Sequence, residues 1–153
     1  MTSPADHAPL GYTLALTAFA HRGLMQRLLA THDLHLGQER VVFELAQNPG
    51  ISQTALAARL GVEQPTTAKA IARMARQGLV RIDRDSADAR VSRLFLTDRG
   101  LELLDVVLTC WRTVEDQMAR GLTATERARL ESLLRRCTEN LSTGGKGTDG
   151  SRT

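Results

Sequence analysis

Two short amphipathic segments joined by a turn occupy residues 51–78, and no other feature restricts the fold as strongly. Ser52 is placed to cap a first helix whose leucines face inward, and Gly61 permits the tight turn that follows. Pro65 stands in the first turn of a second helix, where its missing N–H costs little, and Gly78 is a typical C-terminal cap. This pattern predicts a helix-turn-helix.

The hydrophobic period changes from that of a helix to that of strands directly after Gly78. Leu79, Val80 and Ile82 open one apolar segment, and Val91, Leu94, Phe95 and Leu96 form another. The stretch 83–90 between them is rich in Asp and Arg. Two such segments around a polar connection predict a β-hairpin. A hairpin after a helix-turn-helix is a wing, so the expected fold class is mainly α with a small β-hairpin wing.

Leucines recur at helical intervals on both sides of this unit, which predicts further helices before and after it. We predict one domain over 10–141, between a flexible N-terminus over 1–9 and a disordered tail over 142–153. Within the domain, the winged helix-turn-helix occupies about 38–96, and the flanking helices occupy about 10–31 and 98–141.

The flanking helices carry more apolar surface than the small winged unit can cover. Burial against the same helices of a second copy, around a two-fold axis, is the simplest way to remove this surface from water. The alternative is that the helices only complete the core of the monomer. We favour a homodimer, because it would also present two recognition helices to two half-sites about one helical turn apart.

The basic residues are concentrated in the central segment. Residues 52–99 contain nine Lys/Arg and five Asp/Glu, whereas the rest of the chain contains eleven and twelve. A local basic excess is typical of a nucleic-acid-binding surface, and the expected partner is double-stranded DNA. No apolar run approaches the about 20 residues that span a bilayer, and no signal peptide is visible, so we expect no membrane contact and a cytoplasmic location.

The second helix of the helix-turn-helix, over 64–77, is the predicted recognition helix. Thr67, Ala70, Ile71 and Met74 fall on one face, which is expected to be buried. In helix-turn-helix proteins the N-terminal part of this helix enters the major groove, where Gln pairs with adenine and Lys or Arg meets guanine or a phosphate. The residues expected to face DNA are Gln64, Pro65, Thr66, Lys69, Arg73 and Arg76.

Two further parts of the unit are candidate DNA contacts. Ser52 and Gln53 begin the first helix, where the free N–H groups and the helix dipole favour a phosphate, although simple capping explains these residues equally well. In the wing, Asp88 is spaced to hold the guanidinium of Arg90 by a charge-assisted hydrogen bond. Arg90 and Arg84 are then expected to reach an adjacent minor groove.

The order of these elements and several local runs resemble the MarR (multiple antibiotic resistance regulator) family of winged helix-turn-helix proteins. The resemblance covers about residues 10–141 and is carried by 53–80, which includes LAARLGV at 56–62, by the wing DSADAR at 85–90, by LFLT at 94–97 and by Gly100. Three positions depart from the common family pattern. Gly37 and Glu63 replace Ser or Thr helix caps, and Ala89 stands where many members have a second arginine.

The resemblance implies a homodimer that binds a pseudo-palindromic operator as a transcriptional repressor and is released by a small aromatic or phenolic ligand. Such a ligand would sit between the dimerising helices and the DNA-reading lobe, but no residue of the sequence identifies it. The chain contains no convincing nucleophile–base arrangement, phosphate loop or metal-protease motif, so we expect no catalysis, cofactor or metal. His32 and His35 are expected to lie in a solvated loop rather than at a metal.

Two other functions stay open at this stage: a redox-sensing regulator that acts through Cys110 or Cys137, and a winged-helix protein-interaction module without specific DNA binding. Both cysteines fall on apolar helix stripes, which is typical of buried structural thiols. Trp111 is expected to belong to the core, and His21 is expected either to line a ligand pocket or to face solvent.

Overall fold

The computed structural model of the chain describes residues 3–88 and 90–143. The chain divides into two compact units, residues 1–115 and 116–153, which are described separately below. In chain order the described elements are α1 (Pro4–His7), α2 (Pro9–Ala30), α3 (Gln38–Gln47), β1 (Ile51–Ser52), α4 (Gln53–Leu60), α5 (Gln64–Arg76), β2 (Val80–Arg84), β3 (Ser92–Leu96), α6 (Asp98–Met118) and α7 (Ala124–Thr143). The predicted class, mainly helical with a small hairpin, is confirmed.

A single apolar core runs through the first unit and receives side chains from the long helices, the helix-turn-helix and the sheet. Burial of each large aliphatic side chain contributes about 1.5–3 kcal/mol, so this core is the main source of the unit's stability. The side chains that are fully buried include Met25 and Leu29 of α2, Val41, Val42 and Leu45 of α3, Leu56 of α4, Ile71 and Met74 of α5, Leu94 of β3 and Val107 of α6.

The wing is the outer part of a three-stranded antiparallel sheet with strand order β1-β3-β2. Val80 pairs with Leu96 across the predicted hairpin. The sequence does not predict the third strand, because β1 has only two residues and depends on β3 for its partners. Ile51 pairs with Leu94, and the N–H of Gly50 donates to the Leu94 carbonyl at 2.8 Å. The sheet therefore joins the wing to the residues that precede α4.

Helix α3 begins without a side-chain cap, because Gly37 occupies the N-cap position with φ of +96°. Two side chains of the first turn instead hold the backbone that leads into the helix. Gln38 Oε1 accepts the N–H of His35 at 2.8 Å, and Glu39 Oε2 accepts the N–H of Gly37 at 2.6 Å. Both side chains are buried, and burial raises the pKa of Glu39 above its ordinary value.

The second unit contains the end of α6, a turn at Gly121 with φ of +83°, and α7. Thr123 and Glu126 form the capping box that starts α7: the N–H of Thr123 donates to Glu126 Oε2 at 2.8 Å, and the N–H of Glu126 donates to Thr123 Oγ1 at 3.3 Å. The backbone N–H of Thr123, followed by its hydroxyl, donates to the Glu126 carboxylate and lowers the pKa of Glu126. The leucines of α7 are exposed in the single chain: Leu130, Leu133, Leu134 and Leu141.

The termini differ in part from the sequence-based expectation. Residues 1–9 are expected to be flexible, yet Pro4–His7 form a helical turn that Ser3 and Asp6 close with a capping box. This local hydrogen bonding needs no buried partner, so apolar periodicity gives no sign of it. Helix α7 extends to Thr143, and the rest of the predicted disordered tail lies outside the described residues. No described helix is long and apolar enough to cross a membrane.

Candidate nucleic-acid interface

The turn between α4 and α5 forms where the sequence predicts it. Ser52 Oγ accepts the N–H of Ala55 at 3.2 Å and caps α4. Gly61 has φ of +66°, a left-handed conformation that glycine adopts without strain. Glu63 is the N-cap residue of α5 and makes no side-chain cap bond, in keeping with its replacement of Ser or Thr. The start of α5 therefore has no side-chain cap of its own to hold it, although the helix packs by its apolar face.

Helix α5 has one buried and one exposed face. Thr67, Ile71 and Met74 are at most 1% exposed. The opposite side carries six residues, all exposed, which we call the reading face: Gln64, Pro65, Thr66, Lys69, Arg73 and Arg76. Among the described residues, none of its three cations forms an ion pair, so their charge is available to an external anion. The structure thus brings the six predicted residues together on one surface.

Ser52 and Gln53 lie at the start of α4, and both are partly buried. The hydroxyl oxygen of Ser52 is used by the cap to Ala55. Capping explains Ser52 without a ligand, and a phosphate contact from this pair stays a prediction.

The predicted bond between Asp88 and the Arg90 guanidinium is wrong. Asp88 Oδ1 instead accepts the backbone N–H of Arg90 at 2.9 Å. With one residue between them, an Asp side chain reaches the backbone two residues on and closes an Asx turn, a geometry that suits a hairpin tip. The carboxylate therefore shapes the loop, while Arg90 is exposed and, among the described residues, forms no ion pair.

A different acid–base pair orders the wing, and sequence reasoning missed it. Asp85 accepts the N–H groups of Ala87 and Asp88 at 2.8 and 3.0 Å, and its other oxygen accepts Arg93 Nε at 2.5 Å. Arg93 Nη1 also donates to the carbonyl of Gly50 at 3.3 Å. We call Asp85, Arg93 and this carbonyl the wing clamp. The Arg93 guanidinium, followed by the two N–H groups, holds the pKa of Asp85 below its ordinary value.

The remaining wing arginines divide into two kinds. Arg81 is held within the sheet, because its guanidinium lies 4.6 Å from the centre of the Phe95 ring and pairs with Asp83. Arg84 is exposed and, within the described part of the chain, has no ion-pair partner. The wing thus combines two arginines engaged in its own structure with two, Arg84 and Arg90, that are available for an external contact.

A cavity of about 240 Å³ opens between α3 and α6. It is lined by Arg40, Phe43, Glu44, Leu108 and Trp111. The sequence predicts that Trp111 belongs to the core, and this prediction is wrong, because Trp111 is 41% exposed. Its periodicity matches the apolar stripe of α6, yet the ring extends beyond the core to the cavity.

The ring of His21 from α2 packs beside Trp111, with 5.6 Å between ring centres. His21 is expected from the sequence either to line a ligand pocket or to face solvent; it is partly buried against Trp111 and is not among the residues that line this cavity.

A second cavity, of about 330 Å³, lies beside the reading face. Its apolar wall includes Val41 and Leu60, and Lys69 and Arg73 contribute positive charge. The reading face is therefore bordered by a concave surface as well as by solvent.

The structure gives the two cysteines different surroundings. Cys110 is buried, and burial raises the pKa of its thiol, which disfavours the reactive thiolate. Cys137 is partly buried. The environment of Cys110 argues against the redox alternative at that position.

The metal-ligating residue types do not cluster in the described residues, where no group of three or more such side chains could hold a metal ion. His32 and His35 are both exposed.

Comparison with solved structures finds the same architecture in DNA-bound and ligand-bound proteins. PcaV from Streptomyces coelicolor, in complex with its natural ligand, has a TM-score of 0.79 and 27% identity, over 91% of this chain and 98% of PcaV. A mutant of MarR from E. coli, in complex with operator DNA, has a TM-score of 0.81 and 21% identity, over 90% of this chain and 99% of that chain, which shows a shared fold.

Sequence comparison then identifies the family. A model of the MarR family matches residues 32–91. The transcriptional regulator HosA of Escherichia coli O157:H7 is 33% identical over 104 residues, which make up 68% of this chain and 77% of HosA. The chain therefore belongs to the MarR family of winged helix-turn-helix transcriptional regulators.

Proposed function

We propose that this chain is a homodimeric transcriptional repressor that binds a pseudo-palindromic DNA operator and leaves it when a small aromatic ligand binds. The reading face carries the proposal, because its three cations are exposed and have no ion-pair partner among the described residues. Such side chains neutralise phosphates or donate to guanine edges. A protein seated on its operator excludes other proteins from the same DNA, which is the simplest route to repression.

The exposed apolar side chains of the flanking helices support the dimer. Leu10, Leu16 and Phe19 of α2 are 74%, 54% and 79% exposed in the single chain. Leu133 of α7, in the second unit, is 44% exposed. Several large apolar side chains exposed on a helix are typical of an interface, and the partner that fits a two-fold operator is a second copy of this chain.

The wing supports a second contact with the duplex. Arg84 and Arg90 are exposed on a hairpin whose loop is ordered by the wing clamp. Winged proteins can place such arginines in a minor groove next to the major groove that the recognition helix enters, and narrow A·T-rich segments attract them. The wing would therefore add affinity and some preference for the bases that flank each half-site.

The cavity between α3 and α6 supports release by a ligand. Arg40 offers a positive charge, and Phe43 and Trp111 offer aromatic walls. The cavity volume of about 240 Å³ is enough for one aromatic ring with a carboxylate. The likeness to PcaV, solved with its natural ligand, is consistent with a small-molecule site in a protein of this fold.

Binding of purified protein to a duplex from the region upstream of its own gene tests the DNA function. Fluorescence anisotropy at several salt concentrations should show a steep loss of affinity with salt and a preference over a scrambled duplex. Arg73→Ala should weaken binding to the upstream duplex by about 1–3 kcal/mol if the guanidinium reads a base.

Arg129→Ala is the matched control, because it removes an exposed arginine from α7 and leaves the reading face intact. Its affinity for the upstream duplex should stay within about twofold of the wild-type value, since surface substitutions away from such features change free energies by about 0.5 kcal/mol or less. Equal affinity of wild type and Arg73→Ala for the upstream duplex would show that DNA is bound elsewhere.

A further inference from the structure

Both charged residues of the cavity between α3 and α6 are hydrogen-bonded to the last turn of α4. Arg40 Nη2 donates to the carbonyl of Leu60 at 2.9 Å. Glu44 Oε2 accepts Arg59 Nε at 2.6 Å, and the Glu44 side chain is 19% exposed. A ligand that uses either charge must therefore act on side chains that also hold α4.

The last turn of α4 leads directly into the turn that positions the reading helix. The carbonyls at a helix C-terminus have no partner within the helix, and Arg40 supplies one for Leu60. The N–H groups of Gly61 and Val62 donate to the carbonyls of Ala58 and Ala57, each at 3.2 Å, and complete the turn. Two residues later α5 begins, without a side-chain cap of its own. The start of the reading helix thus depends on the order of the α4 end.

We propose that the bonds from Arg40 to Leu60 and from Arg59 to Glu44 transmit ligand binding to the reading helix. This inference rests on the proposed function and assigns the regulation of that site. A carboxylate attracts the Arg40 guanidinium as an opposite charge, which the neutral carbonyl of Leu60 does not, so an aromatic acid in the cavity draws Arg40 away from Leu60. The same anion repels Glu44 and weakens its bond to Arg59. The α4 end loses both supports, and α5 loses the position that DNA binding needs.

Thermodynamic linkage requires the acid and the DNA to change each other's affinity for the protein equally. If the acid lowers affinity for DNA by some factor, DNA must lower affinity for the acid by the same factor. Typical coupling between two sites in a protein is about 5- to 150-fold. A neutral ring of the same shape fills the cavity without competing for Arg40, so it should give little coupling.

Trp111 is the only tryptophan of the chain and lines the cavity, so its fluorescence reports occupancy directly. Benzoate is the probe, and benzamide is the neutral analogue. In the wild type, benzoate should quench Trp111 and weaken binding to the upstream duplex at least about fivefold, and benzamide should change the duplex affinity less than about twofold.

Arg59→Ala separates transmission from binding, because Arg59 is bonded to Glu44 but does not line the cavity. The variant should still show quenching by benzoate, while the ratio of duplex affinities without and with benzoate falls clearly below the wild-type ratio, because only the bond from Arg40 to Leu60 is left to transmit the signal. Because both affinities in the ratio are measured on the same variant, any effect of the lost Arg59 charge on DNA affinity without benzoate cancels. Arg135→Ala is the matched control, since it removes an exposed arginine–glutamate pair on α7. Its ratio should equal that of the wild type.

Hydrogen exchange gives a readout that needs no DNA. Benzoate should speed exchange of the Gly61 and Val62 amides in the wild type, and benzamide should not. A full benzoate response of the duplex in Arg59→Ala, or unchanged exchange in the wild type, would overturn the proposed relay. Absence of Trp111 quenching would overturn both the aromatic-acid site and the relay, with DNA binding intact. Absence of duplex binding would overturn the proposed function, and the exchange experiment would then decide the relay alone.

Discussion

Gly100 lets the first turn of α6 lie against the backbone at the entrance to β2. A Cβ at this position would stand 2.2 Å from the carbonyl oxygen of Leu79 and 3.1 Å from a methyl carbon of Leu96. Thr97 secures the same junction, since its hydroxyl donates to Gly78 O at 2.6 Å and accepts the N–H of Gly100 at 3.1 Å. Gly100→Ala should therefore lower the free energy of unfolding by about 1–3 kcal/mol, as measured by urea denaturation.

Gly11→Ala is the control for this substitution. Gly11 also lies in a helix, but nothing stands within 4 Å of the Cβ that it would gain. Alanine is the better helix former, so this variant should be neutral or more stable by up to about 1 kcal/mol. Equal destabilisation of the two variants would show that contact with Leu79 is not the cause.

The wing, as an element, is ordered by ionised Asp85, and this gives it a defined pH dependence. Because the pKa of Asp85 is lowered in the folded wing, chiefly by Arg93, the clamp contributes its full stability above the unfolded pKa, about 3.9. That contribution is lost as the pH falls through the lowered value. Once exchange rates are corrected for the intrinsic effect of pH, protection of the Ala87 amide should therefore fall on acidification below about pH 4 in the wild type.

Asp85→Asn removes the titrating group, so exchange at Ala87 should be fast throughout and, once corrected for intrinsic rates, nearly independent of pH in this range. Asp98→Asn, which changes a carboxylate outside the wing, should follow the wild type. If exchange at Ala87 depends on pH in Asp85→Asn as it does in the wild type, another group controls the order of the wing.

We expect the protein to bind DNA as a dimer, because two linked recognition helices bind one operator more tightly than either helix alone. Phe19 is 79% exposed on α2. Phe19→Glu should shift the sedimenting mass from twice 16.7 kDa toward the monomer and weaken operator binding by at least about 100-fold, the scale on which joined sites gain avidity.

Gln26→Glu adds the same charge at an exposed polar position of α2 and should leave both the mass and the affinity unchanged. A dimer that survives Phe19→Glu with full affinity would place the interface away from this part of α2.

Elements with strong local signals could be predicted from the sequence, and so could the face on which their side chains lie. Of the four residues predicted for the inner face of α5, Thr67, Ile71 and Met74 are buried and Ala70 is partly buried, which leaves the reading face outward. The hairpin follows equally from two short apolar segments on either side of a polar tip. The bonding within the tip does not, because Asp88 had two partners within reach, the backbone and the guanidinium of Arg90, and took the backbone.

The sequence alone determined the helix-turn-helix, the wing and the cationic side of α5, because caps, turns and apolar periods act over a few neighbouring residues. Only the tertiary structure decided the features that join distant residues: strand β1, the contact of Arg93 with Gly50, and the exposure of Trp111 beside a cavity. The residues that meet in these features lie on different elements, so their contacts form only once packing has brought those elements together.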